Sequence, residues 1–200
     1  MAGLSQVRKA ASGCFTEPVV RVLARTPITP NSLTWFGFFI SISAAVLIAM
    51  GHLLIAGVIV LFGGFFDMLD GALARRTKRV TLFGSVLDST LDRLSEGALL
   101  LGALALFSSE GSLVGVVLIG IVLVFSMLVS YIRARAEALG IECLVGIFTR
   151  PERIIVLAVG LLINQLEIAL WIIAVFSFIT VGHRLVYVWR QMKNRKVEEE

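Results

Sequence analysis

From Asp67 to Asp92 the chain reads Asp67-Met68-Leu69-Asp70-Gly71-Ala72-Leu73-Ala74-Arg75-Arg76-Thr77-Lys78-Arg79-Val80-Thr81-Leu82-Phe83-Gly84-Ser85-Val86-Leu87-Asp88-Ser89-Thr90-Leu91-Asp92. Four carboxylates stand here in two pairs, Asp67 with Asp70 three residues on, and Asp88 with Asp92 four residues on. At these spacings each pair projects from one face of a helix, with Cβ atoms about 5–6 Å apart. Between the pairs lies a basic turn, Arg75 to Arg79, and apolar sequence flanks it on both sides. The stretch therefore reads as the end of one apolar helix, a charged turn and the start of the next. Antiparallel packing of these neighbours would bring the two pairs together.

The surroundings are those of a polytopic membrane protein. Of 200 residues 58% are hydrophobic and 16% charged, against about 25% charged in an ordinary soluble domain. Mean hydropathy is +0.93 over the whole length, which excludes a soluble globule carrying one anchor. Apolar runs at Leu33–Met50, Leu54–Phe66, Leu82–Phe107, Leu113–Ile132, Ile154–Ile163 and Ile168–Val188 predict six transmembrane helices at about 20 residues per span, the fifth being short. The fold class is all-α.

Orientation follows from the loops. Gly51-His52, Ser108–Ser112 and Asn164–Glu167 contain no Lys or Arg, whereas the alternate connections and both ends are basic. Of the 18 Lys and Arg residues, all but Arg93 fall on one side of a six-span arrangement, and Arg93 lies in the third span toward that side. The positive-inside rule makes that side, with both termini, cytoplasmic in a cell membrane. A five-span arrangement would export Arg184, Arg190, Lys193, Arg195 and Lys196.

Residues 1–30 are expected to form a juxtamembrane segment. Leu4, Val7, Ala11 and Phe15 recur at helical spacing around Arg8 and Lys9, the pattern of an amphipathic helix on anionic membrane lipids, ended by Pro18 and followed by a Pro-rich connector. A disordered basic arm is the alternative. Residues 31–190 form the six-helix domain and 191–200 a charged cytoplasmic tail. The first 20 residues lack the apolar core of a removed signal peptide. Cys14 and Cys143 form no metal or disulfide pattern.

Four converging carboxylates repel one another and lose hydration, so they call for cations. Two divalent ions would balance them, and an oxygen-only set selects Mg²⁺ or Mn²⁺ over zinc. Such a metal pair suits phosphoryl chemistry. Gly71 and Ala74 keep the face beside Asp70 small, Gly84 does the same one turn before Asp88, and Arg75 offers a guanidinium to a phosphate. Singly, each has another reading, as helix-packing glycines or a cytoplasmic helix-end arginine.

Together Asp67, Asp70, Gly71, Ala74, Arg75, Gly84, Asp88 and Asp92 form D-x2-D-G-x2-A-R-x8-G-x3-D-x3-D. This pattern resembles that of the CDP-alcohol phosphotransferases. The resemblance implies six membrane helices that move a phosphatidyl-type group from a CDP-linked lipid to an alcohol, releasing CMP. It implies that Asp67, Asp70 and Asp88 are metal ligands and that Asp92 is the base for the acceptor hydroxyl and also a ligand. Gly71, Ala74, Arg75 and Gly84 would accommodate the CDP moiety. Asn31 and Thr34, in Pro30-Asn31-x-x-Thr34, match a further family feature near the nucleotide, although both residue types also cap helices. A homodimer is expected by family analogy, and Gly37, Ser41 and Ala45 give a small-residue face for packing within or between subunits. No nucleic-acid partner is expected.

The acceptor is read from the basic face. Arg153 and Arg184 adjoin apolar runs, where an unpaired charge is costly, and a phosphorylated acceptor would pair with them. Arg133, Arg135 and Arg190 read more simply as inner-leaflet helix ends. These segments resemble the phosphatidylinositol-phosphate synthase branch and its archaeal counterpart, in which positions matching Ser130, Arg153 and Arg184 bind the acceptor phosphate. The implied reaction joins a phosphatidyl or archaetidyl group to inositol phosphate. Phosphatidylglycerophosphate synthesis from glycerol 3-phosphate is the alternative within the family, and an ion or proton transporter with membrane carboxylates is the alternative outside it.

Overall fold

The computed structural model describes residues 17–24, 26, 29–77 and 80–198. Six long helices follow one another: α1 (Pro30–Ala49), α2 (Leu53–Arg76), α3 (Leu82–Ser109), α4 (Leu113–Ala138), α5 (Arg150–Leu162) and α6 (Leu166–Glu198). Their starts are set by local chemistry. Pro30 occupies the first turn of α1, where its missing N–H costs nothing, and the Thr29 hydroxyl accepts from Ser32 N–H at 3.2 Å. Thr81 caps α3 by accepting from Gly84 N–H at 2.9 Å, and Ser112 caps α4 through Gly115 N–H at 3.2 Å. At α5 the Glu152 carboxylate reaches back to Thr149 N–H at 2.8 Å, closing a capping box.

Among the described residues four helices, α1, α2, α4 and α6, are long and apolar enough to cross a membrane. The other two fall on the expected third and fifth runs but are more polar or shorter. α3 carries Asp88, Asp92, Arg93 and Glu96 in its first half. α5 has 13 residues, about 20 Å at 1.5 Å per residue, short of the ~30 Å hydrocarbon thickness. The segment before it, 139–149, packs Ile141, Cys143 and Phe148 inside.

The amphipathic helix expected at Leu4–Phe15 lies outside the described residues. Pro18, expected to end that helix, belongs instead to helical residues 17–23. Val20 of this turn packs with Leu33, Leu69 and Leu73 against α1 and α2, and Glu17 stands 3.7 Å from Arg76.

The expected α2–α3 pairing is also altered. α1 packs along both α2 and α3, which themselves touch little. The small-residue face of α1 is what permits this: Asp67 lies against Gly37, Ser41 against Gly63, and the Ala45 backbone so close to Gly102 that no Cβ would fit there. The stripe Gly37, Ser41, Ala45 is thus used inside the protomer. The main apolar core, with Ile48, Leu99, Leu100, Leu118, Ile119, Leu157 and Leu170, fills the half of the bundle away from the aspartates. At the aspartate end, α2 and α3 stand apart and leave room between them.

Candidate active site

The first cavity, of about 370 Å³, opens where α1 wedges α2 from α3. Asn31, Thr34, Gly71, Ala74, Arg75 and Gly84, the residues expected at the CDP-lipid, all line it, with Asp70 and Asp88. Asn31 does not cap α1, since Thr29 does so. Thr34 is buried, donates to Pro30 carbonyl oxygen at 3.1 Å and lies beside the Asp70 carboxylate. Gly84 is small by necessity: a Cβ there would stand 2.8 Å from Thr81 Oγ1 and 3.2 Å from Asn31 Oδ1. At Gly71 a Cβ would meet Arg75 Nη1 at 3.4 Å, an ordinary contact, so its smallness serves the open space.

The second cavity, of about 480 Å³, lies between α3, α4, α5 and α6. Ser130, Arg153 and Arg184 line it together, as expected of an acceptor site, with Arg133, Arg150, Asp88 and Asp92. Ser85 and Asp88 belong to both cavities. A ligand in each would therefore meet at Asp88.

Arg153 and Arg184 both have hydrogen-bond partners within the protein. Arg153 is 1% exposed and grips Glu96 through Nε at 2.6 Å and Nη2 at 2.8 Å. Its Nη1 is buried without a protein partner among the described residues. Arg184 donates Nε to Val145 carbonyl oxygen at 2.9 Å and Nη1 to that of Val129. It so ties α4 and the 139–149 segment to α6. Gly146 closes on the same guanidinium with φ +143°, and a Cβ there would come within 3.2 Å of Arg184 Nε.

Arg150, which the sequence reading did not single out, touches the carboxylates directly. Its Nη2 lies 3.0 Å from Asp67 Oδ2 and its Nη1 2.7 Å from Asp92 Oδ1. Together with Glu96–Arg153 this makes two ion-pair rungs between α3 and α5, spaced by one helical turn. A hint was present in the sequence: Glu96 follows Asp92 by four residues and Arg153 follows Arg150 by three, so complementary charges recur at helical spacing.

The carboxylates fit hard cations by donor chemistry. All are oxygen ligands, and Asp70, 5% exposed, has Oδ2 buried without a hydrogen-bond partner among the described residues. An orphaned buried carboxylate oxygen calls for a cation or proton. Yet among the described residues no three acidic, histidine or cysteine side chains are gathered closely enough to hold one ion.

Known proteins resemble this chain in sequence and in fold. Over 188 residues, 88% of this chain and 94% of the relative, the sequence is 38% identical to the archaetidylinositol phosphate synthase of Methanothermobacter thermautotrophicus. The crystal structure of Mycobacterium tuberculosis phosphatidylinositol phosphate synthase with CDP-DAG bound superposes with a TM-score of 0.80 at 39% identity, covering 87% of this chain and 93% of that one. The same mycobacterial enzyme in complex with manganese and citrate gives 0.79 at 39% identity, covering 87% and 88%. Residues 27–182, which span both cavities apart from Arg184 at the rim of the match, carry the family signature throughout, and the chain belongs to the CDP-alcohol phosphatidyltransferase family.

Proposed function

We propose that the protein transfers a phosphatidyl-type group from a CDP-linked lipid to inositol phosphate, releasing CMP, at the cytoplasmic face of a cell membrane. The observation that carries this reading is the meeting of the two cavities at Ser85 and Asp88, one lined by small residues and Arg75, the other by arginines. Relatives that make phosphatidylinositol phosphate or archaetidylinositol phosphate supply the substrate class.

In the first cavity Gly71, Ala74 and Gly84 leave space for the nucleotide, Asn31 and Thr34 offer polar atoms beside it, and Arg75 pairs with a phosphate. In the second, Ser130, Arg184 and the free Nη1 of Arg153 hold the acceptor phosphate. Asp67, Asp70, Asp88 and Asp92 would hold two divalent cations, Mg²⁺ or Mn²⁺, which supply charge neutralisation for phosphoryl transfer. The acceptor hydroxyl oxygen attacks the phosphorus that bears the lipid, and its proton passes to Asp92. The bond from that phosphorus to the CMP oxygen breaks, and CMP carries the electron pair away.

Six membrane helices are proposed, residues 31–190, with α3 and α5 crossing inside the bundle, where their charges pair with each other rather than face lipid. Residues 1–30 form a juxtamembrane segment that meets membrane lipids, and 191–200 a tail. Both termini are cytoplasmic by the distribution of Lys and Arg. A homodimer is proposed by family analogy, on a surface other than the internal stripe of α1.

The test is a mass-spectrometric assay of the purified protein with CDP-diacylglycerol and a panel of inositol phosphate, glycerol 3-phosphate, free inositol and serine. The expected products are phosphatidylinositol phosphate and CMP. Preference for glycerol 3-phosphate reassigns the acceptor, and no CMP release with any alcohol overturns the enzymatic reading in favour of transport.

A further inference from the structure

Arg150 holds two of the four carboxylates and at the same time lines the acceptor cavity. Its backbone is fixed at the first turn of α5 by the Thr149–Glu152 capping box, and one turn deeper the same two helices are pinned by Glu96–Arg153. The side chain itself is held less completely. It is about one-fifth exposed, and its Nε is buried without a hydrogen-bond partner among the described residues. Arg150 takes one oxygen of each carboxylate, Asp67 Oδ2 and Asp92 Oδ1, and a divalent cation held by the same two groups would compete with the guanidinium for their charge, because the two cations repel each other. The arginine-lined cavity that this side chain already borders offers it an anion-seeking space within reach.

We propose that Arg150 exchanges between the carboxylates and the acceptor: divalent-cation binding displaces it from Asp67 and Asp92, and the freed guanidinium joins the acceptor-phosphate site. The proposal rests on the metal and acceptor sites described above and adds a coupling between them. Without the cation, Arg150 neutralises Asp67 and Asp92 through its two contacts with them. With the cation, the acceptor cavity gains a fork that can bind phosphate through two N–H groups. Each ligand thereby raises the affinity of the other, as linkage requires. Arg150 acts here as a specificity-determining residue that favours acceptors bearing a phosphate.

The test measures Mn²⁺ binding by electron paramagnetic resonance to the full-length protein in nanodiscs free of CDP-lipid, so that no turnover is involved. In the wild type, inositol phosphate is expected to tighten Mn²⁺ binding about fivefold or more, the lower end of ordinary coupling. Arg150→Gln is expected to bind Mn²⁺ more tightly than the wild type without acceptor, and inositol phosphate should no longer change its affinity. The wild-type arm needs no variant to fold. Unchanged Mn²⁺ affinity in Arg150→Gln, no effect of inositol phosphate on the wild type, or an effect that persists in the variant overturns the exchange while leaving the metal site standing. Absence of Mn²⁺ binding in both proteins overturns the metal reading and the exchange with it.

Discussion

Replacing Glu96 by leucine would separate what Arg153 does for the fold from what it does for the acceptor. The pair is closed, with bonds of 2.6 and 2.8 Å and side chains 2% and 6% exposed. Glu96→Leu leaves a guanidinium buried without its counter-charge, which costs about 3–5 kcal/mol, whereas replacing both partners of such a pair by apolar residues of similar volume is about neutral or stabilising. The single variant should therefore unfold at a clearly lower temperature, and Glu96→Leu/Arg153→Met should recover most of the loss. Activity should follow the opposite rule. The double variant has no Nη1 to offer the acceptor, and a hydrogen bond to a charged group is worth about 1.5–3 kcal/mol. At about 1.4 kcal/mol per tenfold, the acceptor KM should rise about 10- to 100-fold while the CDP-lipid KM stays near the wild-type value. Differential scanning fluorimetry in one detergent, with initial rates in which each substrate is varied in turn, checks both halves. A double variant as unstable as the single one refutes the isolated-pair argument. Normal acceptor use by the double variant removes Arg153 from the acceptor site, and equal losses for both substrates would make the pair purely architectural.

Asp67→Asn, Asp70→Asn and Asp88→Asn should each nearly abolish CMP release, as should exhaustive chelation of the wild type, whereas Asp92→Asn should retain CDP-lipid binding and lose about 10²- to 10⁴-fold in turnover, the usual contribution of a general base; lipid-binding and single-turnover measurements separate the two behaviours. Gly84→Val places branched carbon against Thr81 and Asn31, and at about 1–3 kcal/mol for overpacking it should raise the CDP-lipid KM by roughly 5- to 150-fold without a matching change for the acceptor. A reporter inserted at Ser109 and one fused after Val197 should lie on opposite sides of the membrane, the latter cytoplasmic, and protease accessibility in oriented vesicles checks it.

The sequence by itself determined the apolar helices and several of the residues that line each of the two cavities. An apolar run long enough to span hydrocarbon can satisfy its backbone there as a helix, so α1, α2, α4 and α6 were legible from composition. Helical spacing then put Asp67 with Asp70, and Asp88 with Asp92, on shared faces. The motif placed Gly71, Ala74, Arg75 and Gly84 together, the separate Pro30-Asn31-x-x-Thr34 match added Asn31 and Thr34, and one cavity is lined by all six. Ser130, Arg153 and Arg184 likewise line one cavity.

What the tertiary structure decided is which charge meets which. Arg150 and Asp67 are 83 residues apart in the chain, and Arg153 and Glu96 are 57 apart. No local spacing encodes contacts of that range, which arise from the way α5 settles against α2 and beside α3. The same holds for the open aspartate end. A short turn between α2 and α3 predicts a tight antiparallel pair, but the glycines and small side chains of α1 let its backbone approach both helices more closely than they approach each other. Close packing favours the contact with the smallest residues on both sides. That preference is a property of three helices at once, so it could be read only after they had been assembled.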